Sequence, residues 1–121
     1  MIQENHQVSV RLIPPNASFS QPKQFASYEE TLKEIQNLDP TAILQNISIE
    51  YARPKNSSEG ILSLEHINFT YSEMTVEKFQ EALECCNPKH RFSAHTVQKC
   101  WREAFPGSTS SVWLNFPNRE Q

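Results

Sequence analysis

The chain has 121 residues, of which 37% are apolar and 21% charged, with a formal net charge of −3. That length fits one domain, and folding hides roughly two thirds of the extended chain's surface, so a core needs no staples. The acidic balance weighs against a dedicated nucleic-acid binder, no apolar run is long enough to span a bilayer, and Met1–His6 lacks the basic start and apolar core of a secretory signal.

Hydrophobic period then sets the elements in chain order. Val8, Val10 and Leu12 alternate and predict a strand over 7–13, stopped by Pro14-Pro15, which cannot donate to a ladder. Residues 14–26 read as a long loop pinned by Phe19 and Phe25. Ser27 and Glu30 form an S-x-x-E capping box that opens a helix with Tyr28, Leu32 and Ile35 on one face, ending near Asn37-Leu38. Asp39-Pro40 has the form of a fresh cap with proline at the first helical position, and predicts a short helical turn over 40–45.

Ile47, Ile49 and Tyr51 predict a strand over 47–52, and the polar stretch 53–60 an exposed loop. A strand over 61–71 pairs back as an antiparallel hairpin. Within it Leu62 and Leu64 alternate in one phase and Ile67, Phe69 and Tyr71 in the other, so a bulge is expected near Glu65-His66. Thr75 caps a second helix with the stripe Val76, Phe79, Leu83 and Cys86, ended by Asn87-Pro88. Ser93 caps a third, with Ala94, Val97, Trp101 and Ala104 on one face, which stops at Pro106-Gly107. A last strand over 111–116 follows, and residues 1–6 and 118–121 are expected to be flexible.

The sum is a single α+β domain over 1–121. Its expected architecture is a four-stranded, mainly antiparallel sheet with three helices on one face, in βαββααβ order. The ferredoxin-like split βαβ arrangement is the natural candidate.

Much chemistry is excluded by composition. With only Gly60 and Gly107 there is no phosphate-cradling loop. Asp39 is the one aspartate and reads as a cap, which removes acid clusters for magnesium or calcium. No cysteines stand at zinc-knuckle spacing, and His90 and His95 lack the H-x-x-x-H separation. No metal site and no cofactor are expected. The four N-x-S/T sequons at Asn16, Asn46, Asn56 and Asn68 read as coincidence, since two fall at or within strands. An odd set of cysteines, Cys85, Cys86 and Cys100, does not read as a disulfide framework, and reduced thiols in a cytosol-like compartment are expected. The surviving enzymatic alternative is a Cys–His pair in which Cys85, the least explained of the three, is activated near His90 or His95 by Lys89 or Arg91. Against it, Cys86 extends an apolar stripe and Cys100 flanks Trp101, as small core residues do.

The two last helices carry charge of opposite sign on the faces away from their apolar stripes. Glu77, Glu81 and Glu84 form an acidic rail on the second; His95, Lys99 and Arg102, with Gln98 beside them, form a basic rail on the third. Two solvated faces account for this as simply as a docking surface does. A helix-turn-helix reading fails on the long connection with Pro88 and on the acidic rail; an RNA-recognition module fails because His66–Tyr71 lacks its basic residue and glycine.

The expected function is therefore non-catalytic protein binding, as an inhibitor or adaptor of a partner enzyme, with a homodimer as a further expectation. The expected contact residues are Glu77, Glu81, Glu84, His95, Lys99 and Arg102, with Trp113 as a possible aromatic anchor. Nucleic-acid binding through Lys89, Arg91, Lys99 and Arg102 is the alternative from another class. No family motif stands residue by residue; the richness in Asn, Gln and Ser with few glycines resembles small accessory proteins of intracellular bacteria, among which inhibitors and adaptors of translocated enzymes are common. With no signal peptide or transmembrane segment, a cytoplasmic setting, or delivery to a host cytosol, is expected.

Overall fold

The computed structural model describes residues 7–15, 21–56 and 62–115. The tails expected to be flexible, and Asn16 and Phe19 in the first long loop, lie outside the described residues. The described chain forms β1 (Gln7–Ile13), β2 (Lys23–Phe25), α1 (Tyr28–Ile35), β3 (Ile43–Asn56), β4 (Leu62–Thr75), α2 (Val76–Cys85), a 3-10 turn (Pro88–His90), α3 (Ala94–Ala104) and β5 (Thr109–Asn115).

The class is α+β, with one open antiparallel sheet of five strands in the order β2-β1-β3-β4-β5. The fifth strand is β2, which lies inside the stretch expected to be loop; its Phe25 pairs with Val10 and buries itself in the core. The split βαβ expectation does not hold. That arrangement sets the two strands of each helix-linked pair apart, with a third strand between them. Here β1 and β3, and likewise β4 and β5, are linked through helices yet pair directly and antiparallel, so that β1, β3, β4 and β5 stand in chain order. The reason is β2, which turns the chain back along β1 before α1 begins, so that β3 enters beside β1 in the opposite sense.

The bulge expected at Glu65-His66 is also absent. β4 pairs with β3 from Leu62 to Thr75, and with β5 from Leu64 to Thr70, without a register shift at those residues. The apparent phase change arose from taking Leu64 as core, whereas it is only half-buried; the side chain of Leu62 lies outside the described residues. The inward positions are instead Ser63, Glu65, Ile67 and Phe69, all buried. A real irregularity sits between β1 and β3. Arg11 pairs with Ser48 and Ile13 with Gln45, two steps against three, and Asn46 takes up the extra residue at φ 52°. Asparagine tolerates this left-handed conformation because its short amide can bond locally.

The caps at Ser27, Thr75 and Ser93 form as the sequence predicts, each side-chain oxygen accepting the backbone N–H three residues on. Glu30 closes the first box one residue earlier than the standard pattern, accepting the Ala26 N–H at 2.7 Å. No helical turn forms over 40–45. Asp39 Oδ1 accepts both the N–H and the hydroxyl of Thr41, which makes a tight turn and sends the chain straight into β3 at Ile43. Of the loop expected over 53–60, residues 53–56 belong to β3, and residues 57–60 lie outside the described residues.

All three helices lie on one sheet face, α1 against β1 and β2, α2 against β3 and β4, and α3 against β4 and β5. Beneath them Val8, Val10, Ile47, Ile49, Tyr51, Ile67 and Phe69 form the sheet's buried side, met by Ile35, Phe79, Leu83, Val97 and Trp101. Phe69 meets Trp101 at a tilt and Phe105 edge-on, and is wholly buried, so this strand aromatic is core and not a base-stacking platform. Burying aromatics of this size is the largest single class of contribution to such a core.

Candidate functional site

Three placements decide what the surface can do. The first is α3. Its capping hydroxyl from Ser93 is supplemented by Glu65, whose buried Oε1 accepts the Ala94 N–H at 3.1 Å and the Arg53 Nε–H at 2.9 Å. A carboxylate at a helix N-terminus meets free amides and the positive end of the peptide dipoles, and Arg53 balances its charge across the β3–β4 ladder, where the two residues are direct partners. Sequence reasoning missed Glu65 because a charged residue at an inward strand position reads as a phase error.

The second is the α2–α3 contact. Trp101, wholly buried, donates its indole N–H to the Ala82 carbonyl at 2.9 Å. Cys85 and Cys100 are joined in a disulfide with Cα atoms 5.8 Å apart. The expectation of reduced thiols is thereby overturned, and with it the premise for the cytosol-like compartment. Cys85 is not placed as a nucleophile beside His90 or His95. Cys86 keeps a free thiol, but it is buried and burial pushes its pKa upward, so it stays protonated. The Cys–His reading has no exposed thiol among the described residues. No group of three metal-ligating side chains occurs among them either.

The third is the rim of the sheet. The acidic rail of α2 is exposed as expected, but two of its members are paired locally: Glu81 with Lys78 at 3.2 Å, and Glu84 with His90 at 2.7 Å. The basic rail of α3 is different. His95, Lys99 and Arg102 are exposed and make no ion pair among the described residues. Gln98 fixes which way that rail points, because its Nε2–H donates to the Ser110 hydroxyl of β5 at 3.1 Å. At 100° per residue, Arg102 and His95 stand about 40° and 60° from Gln98 around the helix axis and Lys99 about 100°, all to the side away from buried Trp101. α3 is the outermost helix of its layer, so its cations border the outer edge of β5.

That edge has no further strand beside it among the described residues. Its sequence, Thr-Ser-Ser-Val-Trp-Leu-Asn, holds no charge and no proline. Trp113 is 41% exposed and Leu114 47% exposed, on opposite faces of the strand. Trp113 lies on the open sheet face, stacked on its cross-strand partner His66 with ring centroids 5.1 Å apart and planes 2° from parallel. His66 Nδ1 lies 3.3 Å from Glu50 Oε2, off the direction a hydrogen bond needs. This stack orients the indole, which the sequence left undecided between inward and outward.

Lys89 and Arg91, the other two cations of the nucleic-acid alternative, sit in the connection ahead of α3. Arg91 ends the 3-10 turn in the left-handed region, and the Glu84–His90 pair lies beside it. An acidic group among the cations is poorly suited to a phosphate backbone. A cavity of about 480 Å³ extends from the start of α1 across β1 and β3 to β4, lined among others by Ser27, Tyr28, Glu29, Glu50 and His66. Burial there, and secondarily the neighbouring Glu84, raises the pKa of the Tyr28 phenol. No helix of the described residues is long and apolar enough to cross a membrane. No family model, curated protein or solved structure matches this chain.

Proposed function

We propose that this protein is a non-catalytic protein-binding domain, an inhibitor or adaptor of a partner protein, and that its contact surface is the β5 edge together with the basic flank of α3. The observation that carries the reading is β5 itself: a seven-residue edge strand with neither charge nor proline, exposing Trp113 and Leu114. Soluble proteins blunt such edges unless they are used, because an unpaired row of N–H and C=O groups is a template for association. An aromatic held rigid by stacking suits an anchor, since little rotamer freedom is lost when it is covered. Lys99 and Arg102 then act as rim charges that set encounter rate and partner choice. The acidic face of α2 contributes less, because Lys78 and His90 already occupy Glu81 and Glu84.

Photo-crosslinking residues placed at Leu114 and, separately, at Lys23 test this reading in cells. Adducts to a second protein should form from position 114 and not from 23. Absence of adducts from position 114, with the variant folded, overturns it.

A further inference from the structure

We propose that the occupant of this edge is an extended acidic segment of another protein, which adds to β5 as a sixth strand. The inference rests on the protein-binding reading and specifies its mode. Strand addition takes its affinity from main-chain hydrogen bonds and its specificity from alternate side chains. Here the two sides of the added strand face different surroundings. Side chains directed to the helix layer meet the flank that carries Lys99 and Arg102, cations with no ion-pair partner among the described residues, with the exposed His95 beside them. Side chains directed to the open sheet face meet Trp113 on its His66 support. A segment carrying Asp or Glu at every second position and aromatic or β-branched residues between them satisfies both rows at once, because successive strand residues point to opposite faces.

A second copy of this chain is the obvious rival, and charge argues against it. Pairing β5 with β5 about a two-fold axis keeps both helix layers on the same face. The two α3 helices then meet across the junction with their basic rails facing each other, and like charges so placed oppose association. Pairing β5 with β2 of another copy is limited by the three residues of β2. The same rail that repels a copy attracts an acidic strand.

The test uses the whole protein and two synthetic peptides of about the length of β5, blocked at both ends, one alternating valine with glutamate and the other valine with lysine. The expected result is that the glutamate peptide quenches or shifts Trp113 fluorescence and protects β5 amides from hydrogen exchange. The lysine peptide should bind at least tenfold more weakly. The double variant Lys99→Glu/Arg102→Glu should reverse that preference while circular dichroism stays unchanged. Equal affinity for both peptides, protection at β2 in place of β5, or concentration-dependent dimerisation through β5 each overturns the proposal. Crosslinks from Leu114 to a partner that survive the charge-reversed variant undiminished would leave protein binding standing and remove the acidic strand; no crosslinks at all remove both.

Discussion

The two margins of this sheet are built on opposite plans. At one, β2 offers three residues, and one of them is Lys23, whose ammonium lies 3.3 Å from Glu34 of α1 and 5.5 Å from the Phe25 ring centroid. Short length and a lysine are two standard ways of discouraging strand pairing. At the other, β5 offers seven uncharged residues, two large exposed side chains, and the neighbouring Lys99 and Arg102, which form no ion pair among the described residues although Glu103 stands on the same helix. One margin is closed by its own charges and the other has nothing paired to it among the described residues, so exposure at β5 is a property of that strand and not of the sheet as a whole.

Substitutions that loosen the β5 side sharpen this contrast most. Trp101→Ala removes a fully buried indole and its bond to Ala82, and should cost about 3–5 kcal/mol in chemical denaturation. Hydrogen exchange should accelerate in α3 and β5 more than in β1 and β2; equal acceleration at both margins breaks the comparison. Replacing both Cys85 and Cys100 with serine opens a link with a sequence separation of 15. It should cost about 3 kcal/mol if the unfolded chain's loop entropy dominates, read as a lowered denaturation midpoint.

Alkali should act on the same side. Tyr51 donates its hydroxyl hydrogen to the Phe92 carbonyl ahead of α3 at 2.8 Å, and burial, opposed by Arg53, pushes its pKa to about 12. The unfolded phenol titrates near 10, so between these values the folded state holds the extra proton. Tyr51's contribution is complete below about pH 10 and is lost as the pH climbs toward about 12. Ultraviolet titration of tyrosinate should show this late step, and Tyr51→Phe should abolish it.

The smallest changes in stability exchange the characters of the two margins. Ser111→Lys gives β5 a blocking charge at an exposed position; it should shift folding by no more than about 0.5 kcal/mol yet cut crosslinking at Leu114 several-fold. Lys23→Thr removes an exposed ion pair and should likewise cost no more than about 1 kcal/mol. A β2 margin that then captures partners as β5 does would show that the lysine, and not the strand's length, keeps it closed.

The helices were legible in the sequence because caps and apolar stripes coincide: Ser27, Thr75 and Ser93 each stand immediately before a 3.6-residue period. The exposed charge rails followed from the same geometry. What sequence could not show was pairing between distant segments. Nothing local marks Lys23–Phe25 as a strand, since it exists only by pairing with β1. Glu65 looks like an error of phase until Ala94 and Arg53 arrive from elsewhere in the chain. The Cys85–Cys100 bond depends on how α2 and α3 cross, and the outward row of β5 on which residue meets His66. The direction of the basic rail needed Gln98 and Ser110 to meet, a contact between elements that neither segment announces.

The cradle around Glu65 has a consequence for the timing of folding. Its acceptor atom is shared by Arg53, from the facing strand, and by Ala94, from a helix that comes 29 positions later. A helix can dock on that carboxylate only once the long hairpin has brought its counter-ion alongside. Refolding should therefore zip the centre of the sheet first and seat α3 afterwards, so that Glu65→Gln speeds unfolding more than it slows folding.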